Sequence, residues 1–320
     1  MMRGMLERLL RRGAAPGWLA VELDASRVSL AHVVANGGQP VVEFAEEREW
    51  DPAEPKSLER VAREFGVKRF RCTTILKPQE YHILLVEAPA VKPEELKAAV
   101  RWRIKDMLDY HVDDATIDVL DVPVPAGAAQ RAHYMYTVAA RNEAVRATVD
   151  RFTAGGMPLA VIDIPDTAQR NVAARLENDQ RGVLALTFDA HGGLITVNHA
   201  GELYLSRRLD ITAEQLADAD ADSDTRARLL DRVLVETQRS LDHCERTYPF
   251  FTLGRVVLGP VAGDGLLREH LATNLYLPVE PLDLTRILRL PAGATGWTPA
   301  QQAQWLKLLG AGLRVEKRAL

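Results

Sequence analysis

The sequence predicts an α/β protein built from two copies of one fold, with a small α/β subdomain inserted into the first copy. Three observations point there. The stretches AVELDASRVSLA (20–31) and LTFDAHGGLITV (186–197) share an apolar-Asp-Ala step, and their aspartates, Asp24 and Asp189, stand 165 residues apart. Each stretch opens a run of three strand-like segments separated by small turn residues. Between 77 and 157 the pattern changes to one that neither copy repeats.

The first run places strands at 18–24, 27–34 and 40–48, punctuated by Asp24-Ala25-Ser26 and by Asn36-Gly37-Gly38. The second places them at 183–189, 194–198 and 202–209, with His199-Ala200-Gly201-Glu202 as the second turn. Helices follow each run, at 55–65 in the first copy and at 223–247 in the second, where Ser223 is the expected cap. The inserted segment opens on a strand, Tyr81 to Glu87. Pro93 then starts a helix with Leu96, Val100, Ile104, Met107 and Leu108 on one face. Strands at 115–122 and 134–141 and a helix at 142–154 complete it. Strands at 72–76 and 160–164 flank the insert, and a helix opened by Pro165 runs to Glu177. A short strand at 255–258, a helix at 263–272 and a last helix from Pro299, carrying Trp305, Leu306, Leu309 and Leu313, end the chain.

The expected organisation is therefore an amphipathic segment at 1–16, a first half at 17–76 and 158–180, the insert at 77–157, a second half at 181–298, and a helix at 299–320 packing back on the core.

Composition excludes several classes of function. The chain has 320 residues, 47% of them hydrophobic, enough for a sizeable core. A formal charge of −4 argues against nucleic acid as a partner, because phosphate backbones are held by clustered Lys and Arg. Cys72 and Cys244 are too few for a disulfide framework or a cysteine-based zinc site, and no metal site is expected. No run reaches the roughly 20 apolar residues of a membrane span. The opening MMRGMLERLLRR sets Met2, Met5, Leu6, Leu9 and Leu10 at helical spacing against four arginines. This pattern fits a solvated helix, an anchor on an anionic membrane surface through residues 1–12, or a partner-binding arm.

Two halves that each open with a meander, plus an insert in the first, resemble the actin-like (ribonuclease H-like) ATPase architecture of FtsA and PilM. More narrowly, the chain is similar to the PilM-like MshI family of type IV pilus biogenesis proteins. The resemblance lies in EYHILLVEAP (80–89), ELKAAVRWRIKDMLDYHVDDATIDVLDVP (95–123), YLSRRLDI (204–211) and VETQRSLDHCERTYP (235–249), and extends over nearly the whole chain from Trp18. It implies a cytoplasmic protein on the inner membrane of a Gram-negative bacterium. Such a protein binds the cytoplasmic tail of a PilN-like membrane protein and helps assemble a pilus of the mannose-sensitive haemagglutinin type.

An actin-like site holds ATP between two hairpin turns. In each, an Asp two residues before a Gly serves metal and water, and the Gly lets backbone N–H groups approach phosphate. Counting along each meander puts these pairs at Glu22 and Asp24 and at Thr187 and Asp189, so both glycine positions are carboxylates. A shift of two residues would instead make Asp24 and Asp189 the metal-facing acids, with Ser26, Gly192 and Gly193 in the turns. A plain hairpin, in which Asp189 caps its own backbone and Gly193 supplies positive φ, needs no ligand. Glu236, Arg239 and Ser240 fit the E-x-x-R pattern that holds ribose and adenine in related folds, or form a solvated ion pair. Gly259 precedes Pro260, which removes a backbone donor. His191 and His199 read as surface histidines, and no catalytic residue is expected.

Arg101, Trp102 and Lys105 lie off the apolar stripe of the insert's helix. They compose either a protein-binding hot spot or, for Trp102, packing on the insert's own sheet. The expectation is a scaffold and pseudo-ATPase with no cofactor. An ATP- and magnesium-binding switch is the alternative.

Overall fold

The structure, a computed structural model, describes residues 15–315 apart from 36, 126–132, 179, 219–221, 262–263 and 292–295. The basic segment at 1–12 lies outside the described residues.

The first half is a five-stranded sheet of β1 (Trp18–Leu23), β2 (Arg27–Val34), β3 (Val41–Glu49), β4 (Cys72–Ile75) and β8 (Leu159–Asp163), in the order β3-β2-β1-β4-β8. The first three strands are antiparallel, and β4 and β8 run parallel to β1. The second half repeats this with β9 (Gly182–Asp189), β10 (Gly192–His199), β11 (Glu202–Leu209), β12 (Leu253–Leu258) and β13 (Val279–Pro281), in the order β11-β10-β9-β12-β13. The same order and the same switch from antiparallel to parallel pairing make the two sheets one duplicated fold.

Helices cover both sheets, which is why β1 and β9 are apolar almost throughout instead of alternating with polar residues. On one face of the first sheet, Leu19, Val21, Val28 and Leu30 pack with Leu58 and Val61 of α1 (Pro55–Glu64) and with Phe152 of α3 (Asn142–Ala154). On the other face, Ala20, Ala31 and Val33 meet Ala168 and Val172 of α4 (Pro165–Ala173) and Leu306, Leu309 and Leu313 at α9 (Pro299–Gly312). The second sheet buries Leu184, Leu186 and Ile195 against Val233 and Leu241 of α6 (Ser223–Thr247) and Leu267 and Leu271 of α7 (Asp264–Asn274). Two short helices, α5 (Ala213–Ala217) and α8 (Leu284–Ile287), complete the half.

The insert holds β5 (Tyr81–Glu87), α2 (Leu96–Ile104), β6 (Ala115–Val122) and β7 (Tyr134–Arg141), with an antiparallel sheet in the order β5-β7-β6. Val100 and Ile104 seal one face against Val86, Ile117, Met135 and Ala139. From the other face Tyr136 reaches the second half, where its hydroxyl donates to the Tyr204 carbonyl (3.2 Å) and accepts from the Ser206 N–H (3.1 Å).

Three local expectations change. The helix after Pro93 begins as a single 3-10 turn and ends at Ile104, leaving Met107 49% exposed. Tyr110 turns inward in its place, with its hydroxyl on the Ala139 carbonyl and the Arg141 guanidinium 4.0 Å from its ring centroid. The cap of α6 is Asp222, not Ser223, because the Asp222 carboxylate accepts from both the backbone N–H and the hydroxyl of Thr225, each at 2.8 Å. α4 ends at Ala173, and Leu176 closes the following turn through its N–H on the Ala173 carbonyl.

Candidate functional site

The duplicated hairpins lie close across the junction between the halves, near enough for His191 of the second to act on the Glu22 carboxyl of the first. In the first, the Asp24 N–H donates to the Arg27 carbonyl (2.9 Å), and Trp50 braces the turn from below: its ring N–H donates to the Asp24 carbonyl and its backbone N–H to that of Ser26. In the second, Asp189 Oδ1 accepts from the His191 N–H at 2.7 Å, which is the self-capping expected of a plain hairpin. Positive φ falls on Gly192 (128°) and not on Gly193. Gly193 is instead pressed against the Phe188 ring, which a Cβ would meet at 2.7 Å.

Between the turns stands a cation that sequence patterns did not reveal. Lys307 rises from α9, and its ammonium forms an ion pair with Asp189. Burial pushes Lys307 down to about 8, against the opposing pull of Glu22 and Asp166. Glu22 sits at the end of β1, where burial raises its pKa, Lys307 lowers it and Asp24 raises it further. Asp24 in turn has Lys77 Nζ at 3.6 Å. Of the expected acids, Glu22 and Asp189 thus meet at Lys307, while Asp24 faces Lys77. The available signal was a single charge in an otherwise apolar run, WLKLLGAG at 305–312.

α4 forms the floor. Asp166, with no exposed surface, accepts from the hydroxyls of Tyr81 and Ser206 and from Arg208 (3.1 Å), which also reaches the Tyr81 hydroxyl. One carboxylate therefore ties the first half to the insert and to the second half. One turn on, the Gln169 amide donates to the carbonyls of Ala185 (3.0 Å) and Leu194 (3.1 Å) and to Thr196, while the Thr187 hydroxyl donates to its oxygen at 2.6 Å. Thr187 is committed to this junction and does not face the cleft. Gly259 packs on the same threonine, where a Cβ would lie 2.7 Å from Thr187 Cγ2, and its N–H is used by the Leu186 carbonyl.

Glu236 pairs with Arg207 (3.2 Å) and Arg239 (2.7 Å), and the buried Ser240 hydroxyl donates to the Glu236 carbonyl. Glu236 and Arg239 line a groove of 760 Å3 together with Arg208, Arg232 and Val235. His199 is not a plain surface residue: its ring stacks on Phe251 at 4.4 Å, and burial lowers its pKa. Among the described residues no group of three or more His, Cys, Asp and Glu is placed to hold a metal ion.

On the insert, Trp102 is 73% exposed and does not pack on the sheet beneath, and Lys105 lies 5.3 Å from its ring centroid. Arg101 turns away and holds the following loop, donating to the Val112 carbonyl at 2.6 Å. Met107 and Val91 are further exposed apolar side chains of the insert.

Two sheets of equal order closing on a cleft, with helices α4 and α9 packed together between them, define an actin-like fold. A chain of a PilM–PilN type IV pilus biogenesis complex is similar to this one, with a TM-score of 0.70 at 20% identity, covering 93% of this chain and 98% of that one. At this identity the likeness is one of fold. The cytoplasmic domain of EpsL, an inner-membrane component of the type II secretion system of Vibrio cholerae, matches with a TM-score of 0.46 at 13% identity over 91% of this chain and 94% of its own. A Bacteroides thetaiotaomicron protein of actin-like ATPase fold matches at 0.46 and 11% identity over 85% of this chain and 92% of its own. No family model and no curated sequence matches the chain. No helix among the described residues is long and apolar enough to cross a membrane.

Proposed function

We propose that this chain is a cytoplasmic scaffold of a type IV pilus assembly, of the mannose-sensitive haemagglutinin kind. It holds the tail of a PilN-like inner-membrane protein on its inserted subdomain and uses the actin-like cleft as a structural joint, without turning over ATP. The observation that carries this reading is Trp102, 73% exposed on the helix of the inserted subdomain, with Lys105 beside it. An exposed aromatic next to a flexible cation suits an extended peptide that supplies apolar side chains and a carboxylate. The tail loses entropy on ordering, so an isolated peptide binds moderately, and tethering to the membrane raises its effective concentration. Arg101 serves this surface by holding its loop. Residues 1–12 would add a contact with anionic lipid.

The cleft residues fit a magnesium nucleotide poorly. Carboxylates stand where phosphate needs close backbone approach, Asp189 is already engaged by Lys307, and the Gly259 N–H is spent on Leu186. A second reading, an ATP-binding switch, draws on the 760 Å3 groove beside Glu236 and Arg239. Calorimetry separates the two, since the scaffold reading expects no saturable Mg-ATP binding in the micromolar range. The partner surface is tested by measuring tail binding and thermal unfolding together for Trp102→Ala. Binding lost with unfolding unchanged supports the reading, and unchanged binding in the folded variant refutes it.

A further inference from the structure

Lys307 does something for the cleft that neither reading above assigns. It belongs to α9, which packs on the first half through Leu306 and Leu309 against Ala31 and Val33 and crosses α4, where a Cβ on Gly310 would lie 2.3 Å from the Ala168 carbonyl. Its partner Asp189 belongs to the second half, at the end of β9. The ion pair therefore spans the two halves at the second of their duplicated turns, two residues along β9 from the Thr187 contact with Gln169. Both members are partly open to solvent, 28% for Lys307 and 29% for Asp189, so the pair can form and break without unfolding either half.

We propose that Lys307 is the built-in occupant of the cleft: its ammonium, set among the carboxylates of the two turns, holds the halves closed where a nucleotide-binding relative would use bound metal and phosphate. The residues favour this over a vacant ligand site. Asp189 has one oxygen on the His191 N–H and the other on Lys307, so a metal there would have to displace or face an ammonium already in contact. Asp24 is faced by Lys77, a second cation from the same chain. Without Lys307, Asp189 would lose its cation and Glu22 would keep only the weaker pulls of Lys77 and His191, and like charges favour separation.

The inference rests on the scaffold reading, in which no nucleotide enters, and its test is separable from that of the partner surface. Amide hydrogen exchange is followed at residues 24–27 and 190–193 in the full chain. Lys307→Met and Asp189→Asn are expected to speed it about tenfold, as loss of a local closing contact does, with global unfolding far less affected. Lys307→Arg keeps the charge and should hold exchange within about twofold of wild type. The double change Lys307→Met with Asp189→Asn should speed exchange no more than either change alone, because both act through one contact. Having both single variants keeps the test decisive if one of them folds poorly. Spin labels at Glu43→Cys and Arg228→Cys report the cleft directly, because the native Cys72 and Cys244 are buried, and the distance should lengthen in Lys307→Met. Wild-type exchange rates and distance in a folded Lys307→Met would overturn the proposal, as would saturable Mg-ATP binding by the wild type. Tail binding on the Trp102 surface is measured on the same variants and is expected to stay unchanged.

Discussion

Replacing Gly310 by alanine sets two effects of opposite sign against each other at the helix crossing that positions Lys307. In an isolated helix the change would stabilise by about 1 kcal/mol, because glycine gives up more backbone freedom than alanine. In this protein the added Cβ would lie 2.3 Å from the Ala168 carbonyl oxygen and 2.8 Å from its carbon, both atoms of the α4 backbone, which no side-chain rotation can clear. Ordinary contact requires α4 and α9 to separate by about 1 Å or more. Overpacking of this kind costs about 1–3 kcal/mol. The separation also stretches the bond from the Asn171 amide to the Gly310 carbonyl, now 2.9 Å and worth about 1 kcal/mol. Sterics win, and the expected net loss is about 2 kcal/mol. Urea unfolding monitored by circular dichroism measures it. Gly265→Ala in α7 is the control: a Cβ there meets nothing within 4 Å, so only the propensity gain of up to about 1 kcal/mol should appear. A Gly310→Ala protein as stable as wild type would refute the steric account of the crossing. Because Lys307 lies one turn before Gly310, the same variant should also loosen the turn at 190–193.

Asp222→Ala should cost about 1 kcal/mol through loss of the α6 cap, whereas Ser223→Ala should change stability by only a few tenths; equal effects would return the cap to Ser223. Burial lowers the pKa of His32, whose ring N–H donates to the Pro16 carbonyl, and also that of His199 and His243. The unfolded chain then takes up protons as pH falls through about 6.5 while the folded chain does not, so stability is expected to drop between about pH 7.5 and about pH 5.5. His32→Gln should reduce that drop, and an unchanged slope in thermal melts across this window would remove His32 from the account.

Short-range pattern was enough for the sequence to define the duplicated meanders, the insert and most helix spans. Hairpin turns are written by neighbouring small residues, and a helix face repeats within a few positions, so both signals lie inside a short window. The same locality explains which residues of the junction the sequence can single out. Glu22, Asp24 and Asp189 are legible because they sit at fixed offsets from turns, and Trp102 because it lies off its helix's apolar stripe. What surrounds them is not legible. Lys307 meets Asp189 only because α9 returns to the first half, and Asp166 is joined to Tyr81 and Tyr81 to Arg208 across 85 and 127 residues of sequence. Even the roles of glycines depended on such partners: Gly259 serves packing against Thr187, and Gly310 the crossing with Ala168. A residue type and its local period determine which elements form and which face is apolar. Which charge neutralises which carboxylate is decided by the packing of whole elements, whose balance of desolvation and attraction exists only once the chain has folded.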